Sequence, residues 1–328
     1  MEQIRSPLVA RRMLGDGNSL VIHACADLLI PIRNGDLEFF AKLVPFLARK
    51  GLPTRVVEAG GSASKILQET SNVHIVAGDF PGYGRNMLHA MHSYIWGFWY
   101  LDEVGVHCNS SLRFARFCPE NIDAEKAEYF FNGVSGHMLR ENVSKTPQEA
   151  RIGSPMQPAS TVIFCQDIEE RDNRSHYLNT EEMIRVAAET RRDELVYVKP
   201  HPTQSKVMRR IIMATCSDYT NVKITDASIH DLVDVSRVVV TQNSAAGFEA
   251  LMQKKTVITC AKSDYWHATL TPRTIKDLGE AIELGPRAMH GFEYEKYLYW
   301  FLDRNCLEPQ KDAFTKRAWA RIRDKAFL

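Results

Sequence analysis

Residues 237–260 read RVVVTQNSAAGFEALMQKKTVITC. Residues 237–241 are a short β-branched run, the pattern of a buried parallel strand. The run breaks at Gln242-Asn243-Ser244, three polar residues set before an apolar helical pattern. Asn243 or Ser244 is therefore the expected N-cap. A second apolar run, 256–260, follows the helix and completes a β-α-β unit. In such a unit the helix N-terminus lies at the carboxyl edge of the sheet, carrying free N–H groups and partial positive charge. The small residues Ser244, Ala245, Ala246 and Gly247 let an anion approach the backbone there. The stretch predicts a phosphate seat, against the plain alternative of a serine that only caps a helix.

A second motif lies upstream. Residues 194–199, ELVYVK, read as another strand and end in Lys199-Pro200-His201-Pro202. Prolines on both sides of a histidine fix the backbone and aim the imidazole. In a parallel sheet this puts His201 on the same edge as Ser244. A histidine and a helix dipole over one site suit a nucleotide phosphate.

With both motifs in view, the sequence resembles the capsule polysaccharide synthesis family of bacterial glycosyltransferases. These are similar to the retaining β-Kdo transferases that use CMP-Kdo. The family's HP motif is matched by His201-Pro202, and its Q-x-S motif by Gln242 and Ser244. The likeness runs over residues 95–325 and is sharpest at these motifs. It implies an α/β protein of two Rossmann-like domains facing a cleft, the GT-B architecture, with the donor nucleotide on the C-terminal domain. It also implies transfer of an acidic sugar, most simply Kdo, from a CMP donor to a glycan or lipid-linked acceptor. Ser244, with Asn243, Ala245 and the backbone behind them, is then expected to hold phosphate. His201, with Pro202 and Lys199 beside it, is expected to neutralise the leaving CMP, and Gln242 to orient the donor. Glu249, one turn into the helix, would bind ribose hydroxyls or sit in the helix–sheet interface. The donor is a substrate, so no cofactor and no metal is called for. Lipid-linked acceptors would bring capsule-assembly proteins and the inner membrane face into contact.

Composition sets outer bounds. The 328 residues suit two domains, and 45% hydrophobic with 25% charged residues is ordinary for a globular chain. With 41 basic against 40 acidic residues, the +1 net charge offers no electrostatic case for nucleic acid. Seven scattered cysteines without C-x-x-C read as free thiols in a reducing compartment. Residues 1–17 hold no apolar signal core, so a cytoplasmic protein is expected.

The N-terminal half reads β-α-β-α-β, with strands at 20–24, 54–58 and 73–77. It lacks G-x-G-x-x-G, which disfavours a dinucleotide. Residues 89–103, HAMHSYIWGFWYLDE, are aromatic, with Trp96, Phe98 and Trp99 expected in the core. His89 and His92 lack a third ligand at helical spacing, so no metal is expected. Asp102-Glu103-Val104-Gly105 end this stretch, and carboxylates at a strand end face the loop side of the sheet. The resembling enzymes carry E-x-G or E-D-G here and imply an acidic nucleophile or base. Val104 stands where some relatives have Asp, which leaves Asp102 and Glu103 both as candidates. Arg113 is a candidate for a sugar carboxylate. Residues 144–159 read as the linker, which divides the chain into 1–150 and 151–328. The basic stretch 311–325 reads as a helix that is either solvated or in contact with a membrane surface. A different sugar-nucleotide enzyme, using a UDP-sugar or CMP-sialic acid, and a non-catalytic assembly partner remain as alternatives.

Overall fold

The structure is a computed structural model that describes residues 1–13, 17, 19–80, 83–152, 156–170 and 175–326. The chain divides into two compact units, residues 1–93, 97–115 and 302–328, and residues 94–96 and 116–301.

The first unit begins with β1 (Glu2–Ile4) and α1 (Pro7–Arg12), neither of which the sequence announces. It continues through β2 (Leu20–Ala24), α2 (Ala26–Asn34), α3 (Glu38–Arg49), β3 (Thr54–Glu58), α4 (Ser62–Gln68), β4 (Val73–Ala77), β5 (Met87–His92) and β6 (Trp99–Asp102). The strands order as β1-β3-β2-β4-β5-β6. All neighbours are parallel except β5 and β6, which pair antiparallel with His89 opposite Asp102. Residues 87–92 thus form a strand, so His89 and His92 project from opposite faces. Phe98 and Trp99 are buried as expected, whereas Trp96 is 67% exposed.

The second unit comprises α5 (Ala124–Arg140), β7 (Ala159–Phe164), α6 (Thr180–Thr190), β8 (Val196–Lys199), α7 (Lys206–Ser217), β9 (Val222–Ile224), α8 (Ile229–Val235), β10 (Ser236–Thr241), α9 (Ala245–Leu251), β11 (Thr256–Thr259), α10 (Ile275–Ala288) and α11 (Tyr294–Leu298). Its five strands are all parallel, in the order β11-β10-β7-β8-β9. Helix α6 opens with a capping box between Asn179 and Glu182. Val238, Val239 and Val240 of β10 are buried on both faces, the usual state of a central parallel strand. Gly247 lets α9 lie close on the sheet: a Cβ there would sit 2.7 Å from Thr241 Cγ2.

The two units part after residues 115 and 301 rather than at 150. Helix α5 buries Ala127, Phe131, Ser135 and Met138 and packs beside α11, so it belongs to the second unit. The last helix, α12 (Phe314–Ala326), returns to the first unit, where Phe314, Ala318 and Ile322 join the core around Phe39, Leu43 and Trp99. The expected linker is a bound strap, apart from residues 153–155, which lie outside the described residues. Asn142 and Gln148 accept from Ser228 Oγ at 2.8 and 3.3 Å, and Val143 O accepts from His230 Nε2 at 2.8 Å. Asp231 takes Arg151 Nε at 2.5 Å and the Ile152 amide at 2.7 Å. A polar, proline-containing stretch reads as a linker from composition alone. These hydrogen bonds tie it to α8.

All seven cysteines are free thiols, and Cys165, Cys216, Cys260 and Cys306 are buried. No helix among the described residues is long and apolar enough to cross a membrane.

Candidate functional site

In the second unit the chain leaves β7 toward β8 on one side and returns to β10 on the other. This reversal of strand order is the topological switch point, and open parallel sheets place ligands outside the carboxyl ends of the strands there. The loop after β7 begins Cys165-Gln166-Asp167, and the loop after β10 is Gln242-Asn243-Ser244.

Gln166 ties the two loops together. Its Oε1 accepts from the Asn243 amide at 2.7 Å and from Thr241 Oγ1 at 3.3 Å, and its Nε2 donates to Asn243 Oδ1 at 3.1 Å. Asn243 also donates from Nδ2 to Lys262 O at 2.9 Å. On the other side, Gln204 Nε2 donates to Gln166 O at 3.0 Å, and Gln204 Oε1 accepts from the His201 amide at 3.0 Å. Three loops, after β7, β8 and β10, are therefore locked to one another by two glutamines. His201 and Ser244 stand on the same edge, with β7 between their strands and roughly 10 Å of lateral separation at normal strand spacing. Both are partly exposed.

The imidazole is oriented. His201 Nδ1 accepts from the Thr203 amide at 3.2 Å and lies 2.8 Å from Thr203 Oγ1. An acceptor Nδ1 places the ring proton on Nε2. Ser244 is the N-cap of α9: its Oγ accepts from the Ala246 amide at 3.2 Å and keeps its own proton for donation. Its carbonyl takes the hydroxyl of buried Tyr265 at 2.8 Å, which ties the start of α9 to the loop after β11. Trp266, by contrast, is 47% exposed. Pro202 is exposed, and Ala245 is the first residue of α9.

Three sequence-predicted residues of this edge serve the scaffold. Gln242 is fully buried, with Nε2 donating to Glu169 Oε1 at 2.6 Å and Leu178 O at 3.2 Å. Glu169 Oε1 also receives the Thr180 amide and hydroxyl, so the glutamine organises the loop after β7 from beneath. Lys199 donates to the carbonyls of Asp226 and Ala227 at 2.7 and 2.8 Å, and half-burial lowers its pKa. Glu249 is buried at 1% exposure. Its Oε1 accepts from Ser144 Oγ at 2.9 Å and the Lys145 amide at 3.2 Å, while its Oε2 has no hydrogen-bond partner among the described residues. Burial raises this carboxyl to about 7, against the lowering effect of the two donors. The residue holds the strap and is closed to a ligand hydroxyl as packed.

The carboxylate pair of the first unit lies elsewhere than expected. Because β6 runs antiparallel to β5, its carboxyl end sits at the amino edge of the parallel strands, away from the edge where sites form. Asp102 is spent there: Oδ1 accepts from the Val104, Gly105 and Ser111 amides at 2.7 to 3.0 Å, and Oδ2 takes Ser111 Oγ at 2.6 Å. Glu103 faces Lys325 Nζ at 3.5 Å. A cavity of about 620 Å³ opens at this edge, lined in part by Asp102, Glu103, Arg321 and Lys325. Arg113 lies on the same amino-edge loop, its guanidinium 5.1 Å from the Phe114 ring. Of the basic residues of α12, Arg317 and Arg321 donate to backbone carbonyls of 303–306 and Leu101, and Lys325 pairs with Glu103.

Reasoning from sequence passed over Gln166 as a site residue and missed the acids at the first unit's own switch point. There β2 and β4 are neighbours, and Asp27 in the first turn of α2 and Asp79 just past β4 are both exposed. Gly78 makes that edge tight, since a Cβ would lie 3.2 Å from Cys25 Cβ. A glutamine or aspartate two residues beyond the end of a parallel strand was the available signal. Among the described residues, no group of three His, Cys, Asp or Glu side chains is gathered as for a metal ion.

Residues 170–276 match the family model described as "Capsule polysaccharide biosynthesis protein", so the resemblance is borne out across the segment holding both motifs. No curated protein matches the chain by sequence. Among solved structures, the chain is similar to Thermosulfurimonas dismutans KpsC, beta Kdo 2,7 transferase. The identity is 16% and the TM-score 0.50, over 80% of this chain and 88% of that one. It is also similar to the beta Kdo 2,4 transferase of the same organism's KpsC, at 18% identity and TM-score 0.48, over 81% and 90% of the two chains. A UDP-GlcNAc 2-epimerase from Neisseria meningitidis aligns over 94% of this chain and 99% of that one, at 10% identity and TM-score 0.34. The first of these bears out the fold class, two units built on parallel sheets flanked by helices.

Proposed function

We propose that the protein is a capsule or surface-polysaccharide glycosyltransferase that moves an acidic sugar, most simply Kdo, from a CMP donor to a glycan or lipid-linked acceptor. The observation that carries this reading is the coupling of the His201 and Ser244 loops through Gln166 at the switch point of the second sheet. Such an edge suits the single phosphate of a CMP-sugar. Ser244, with its hydroxyl and the amides that open α9, holds the phosphate, and the Nε2–H of His201 supports charge on the departing CMP. Removing one such donor costs about 10²-fold in rate. The donor is a substrate, and the proposed chemistry calls on no cofactor.

Retention in two displacements needs a carboxylate at the anomeric carbon. Asp79 and Asp27 replace Asp102 and Glu103 as candidates, because they stand at the carboxyl edge of the first sheet.

Calorimetric titration with CMP, UMP and UDP tests the donor site. CMP-selective binding lost in His201→Ala and weakened about tenfold in Gln166→Ala supports it; absence of nucleotide binding sinks it. A second reading, a non-catalytic assembly partner, is favoured by the engagement of Asp102 with four donors. It predicts CMP binding without a sugar adduct by mass spectrometry after incubation with CMP-Kdo. An adduct lost in Asp79→Asn or Asp27→Asn decides for catalysis.

A further inference from the structure

Helix α7 is amphipathic in an unusual sense. Its inner face is buried through Ile212, Thr215 and Cys216, but its outward face is also apolar. Val207 is 65% exposed, Ile211 38% and Met213 63%. On a helical wheel these three share one arc with Lys206 and Arg210, both exposed. The helix contains no acidic residue, and Asp218 just beyond it lies 3.6 Å from Arg185. Beside the helix, β9 is the edge strand of its sheet, and its last residue, Ile224, is 37% exposed. Val222 of β9 packs on the core under α7, so Ile224, two residues on, projects to the helix side.

Single exposed apolar residues are ordinary, but a cluster of them beside basic side chains marks a contact surface. The carboxylates at the helix ends are engaged, Glu170 by Ser205 Oγ and Asp218 by Arg185. We propose that the outward face of α7, with Ile224, is a peripheral docking surface for an anionic lipid bilayer. Three features select that occupant. Apolar side chains interleaved with basic ones, and no carboxylate on the helix, match acyl chains below and anionic headgroups above. A second copy of the chain fits poorly, because a two-fold interface would set Lys206 and Arg210 against their own like charges. The placement is also useful, since Ser205, the N-cap of α7, lies three residues past Pro202. The surface therefore borders the His201 loop.

The test is co-sedimentation of the full chain with vesicles of equal phosphatidylcholine and phosphatidylglycerol, and with phosphatidylcholine alone. The wild type should sediment with the anionic vesicles only, and less so at high salt. Lys206→Ala with Arg210→Ala should weaken partitioning roughly 25-fold, at about fivefold per basic residue. Val207→Ser with Ile211→Ser should weaken it about a hundredfold through lost apolar burial. Circular dichroism on each variant establishes that it is folded. Failure of the folded wild type to bind anionic vesicles overturns the proposal, and so does equal binding to neutral ones. Wild-type dimers by sedimentation velocity that Val207→Ser with Ile211→Ser makes monomeric would overturn it in favour of a second copy. CMP titration is read separately, so loss of nucleotide binding with intact vesicle binding bears on the donor site alone.

Discussion

The first unit carries a buried chain of neutral histidines that should make its stability depend on pH. His23 on β2 is fully buried, with Nδ1 2.8 Å from Ser64 Oγ and Nε2 3.0 Å from His74 Nδ1. His74 Nε2 lies 3.4 Å from Thr70 O, which accepts only, so the protons run in one direction from Ser64 to Thr70. Burial, and secondarily the facing His74, lowers His23 from 6.5 to about 3. His74 is lowered too, by burial. The unfolded chain therefore binds protons that the folded chain refuses, and acid favours the unfolded state. Full stability holds above the unfolded value and is lost as the pH falls toward 3. At one pH unit per 1.36 kcal/mol, His23 alone removes about 2 kcal/mol near pH 5 and about 5 kcal/mol at the limit. Either figure is a large part of a typical domain's stability. Urea melts followed by the fluorescence of Trp99, buried in that core, read the effect at about pH 7.5 and about pH 5. His23→Gln should lose roughly 2 kcal/mol of the pH dependence. His230 of the second unit, also lowered by burial, stays as a common background in both proteins. An unchanged pH dependence in His23→Gln would refute the reasoning.

Gly247→Ala should destabilise the protein by about 1–3 kcal/mol, because its Cβ meets Thr241 Cγ2 and Tyr265 Oη, and CMP affinity should fall with it; thermal melts and calorimetry read both. Glu249 has the opposite pH behaviour to His23. Its raised carboxyl stabilises the fold fully below about pH 4.5, and that contribution is lost as the pH rises through about 7. Glu249→Gln should therefore gain up to about 3 kcal/mol over the wild type in urea melts near pH 8.5. A variant no more stable than the wild type there would count against it. Asp102→Asn should cost about 2 kcal/mol or more in stability by weakening the acceptor of the 104–111 loop, whereas Glu103→Gln should leave sugar transfer unchanged. Loss of transfer in a stably folded Glu103→Gln would restore that residue as a catalytic candidate.

Local pattern determined much of this protein. The β-branched run of β10, the polar break at Gln242-Asn243-Ser244 and the Asn179 capping box are interactions between near neighbours in the chain, so residue order alone displays them. The placement of His201 and Ser244 on one edge was equally legible, because parallel strands leave their carboxyl ends on the same side. Which polar residues were free to meet a ligand was not legible. Gln242, Lys199 and Glu249 carry the right chemistry at the right distance in sequence, yet Glu169, the 226–227 carbonyls and the 144–145 strap claim them. Asp102 and Glu103 show the same limit at the scale of the sheet. A strand's direction relative to its neighbours is set by pairing across the sheet, so the antiparallel turn of β6 moved both carboxylates to the far edge. Sequence determined the elements and their caps; only tertiary structure decided which edge each acid reached, because burial and strand direction are properties of partners distant in the chain.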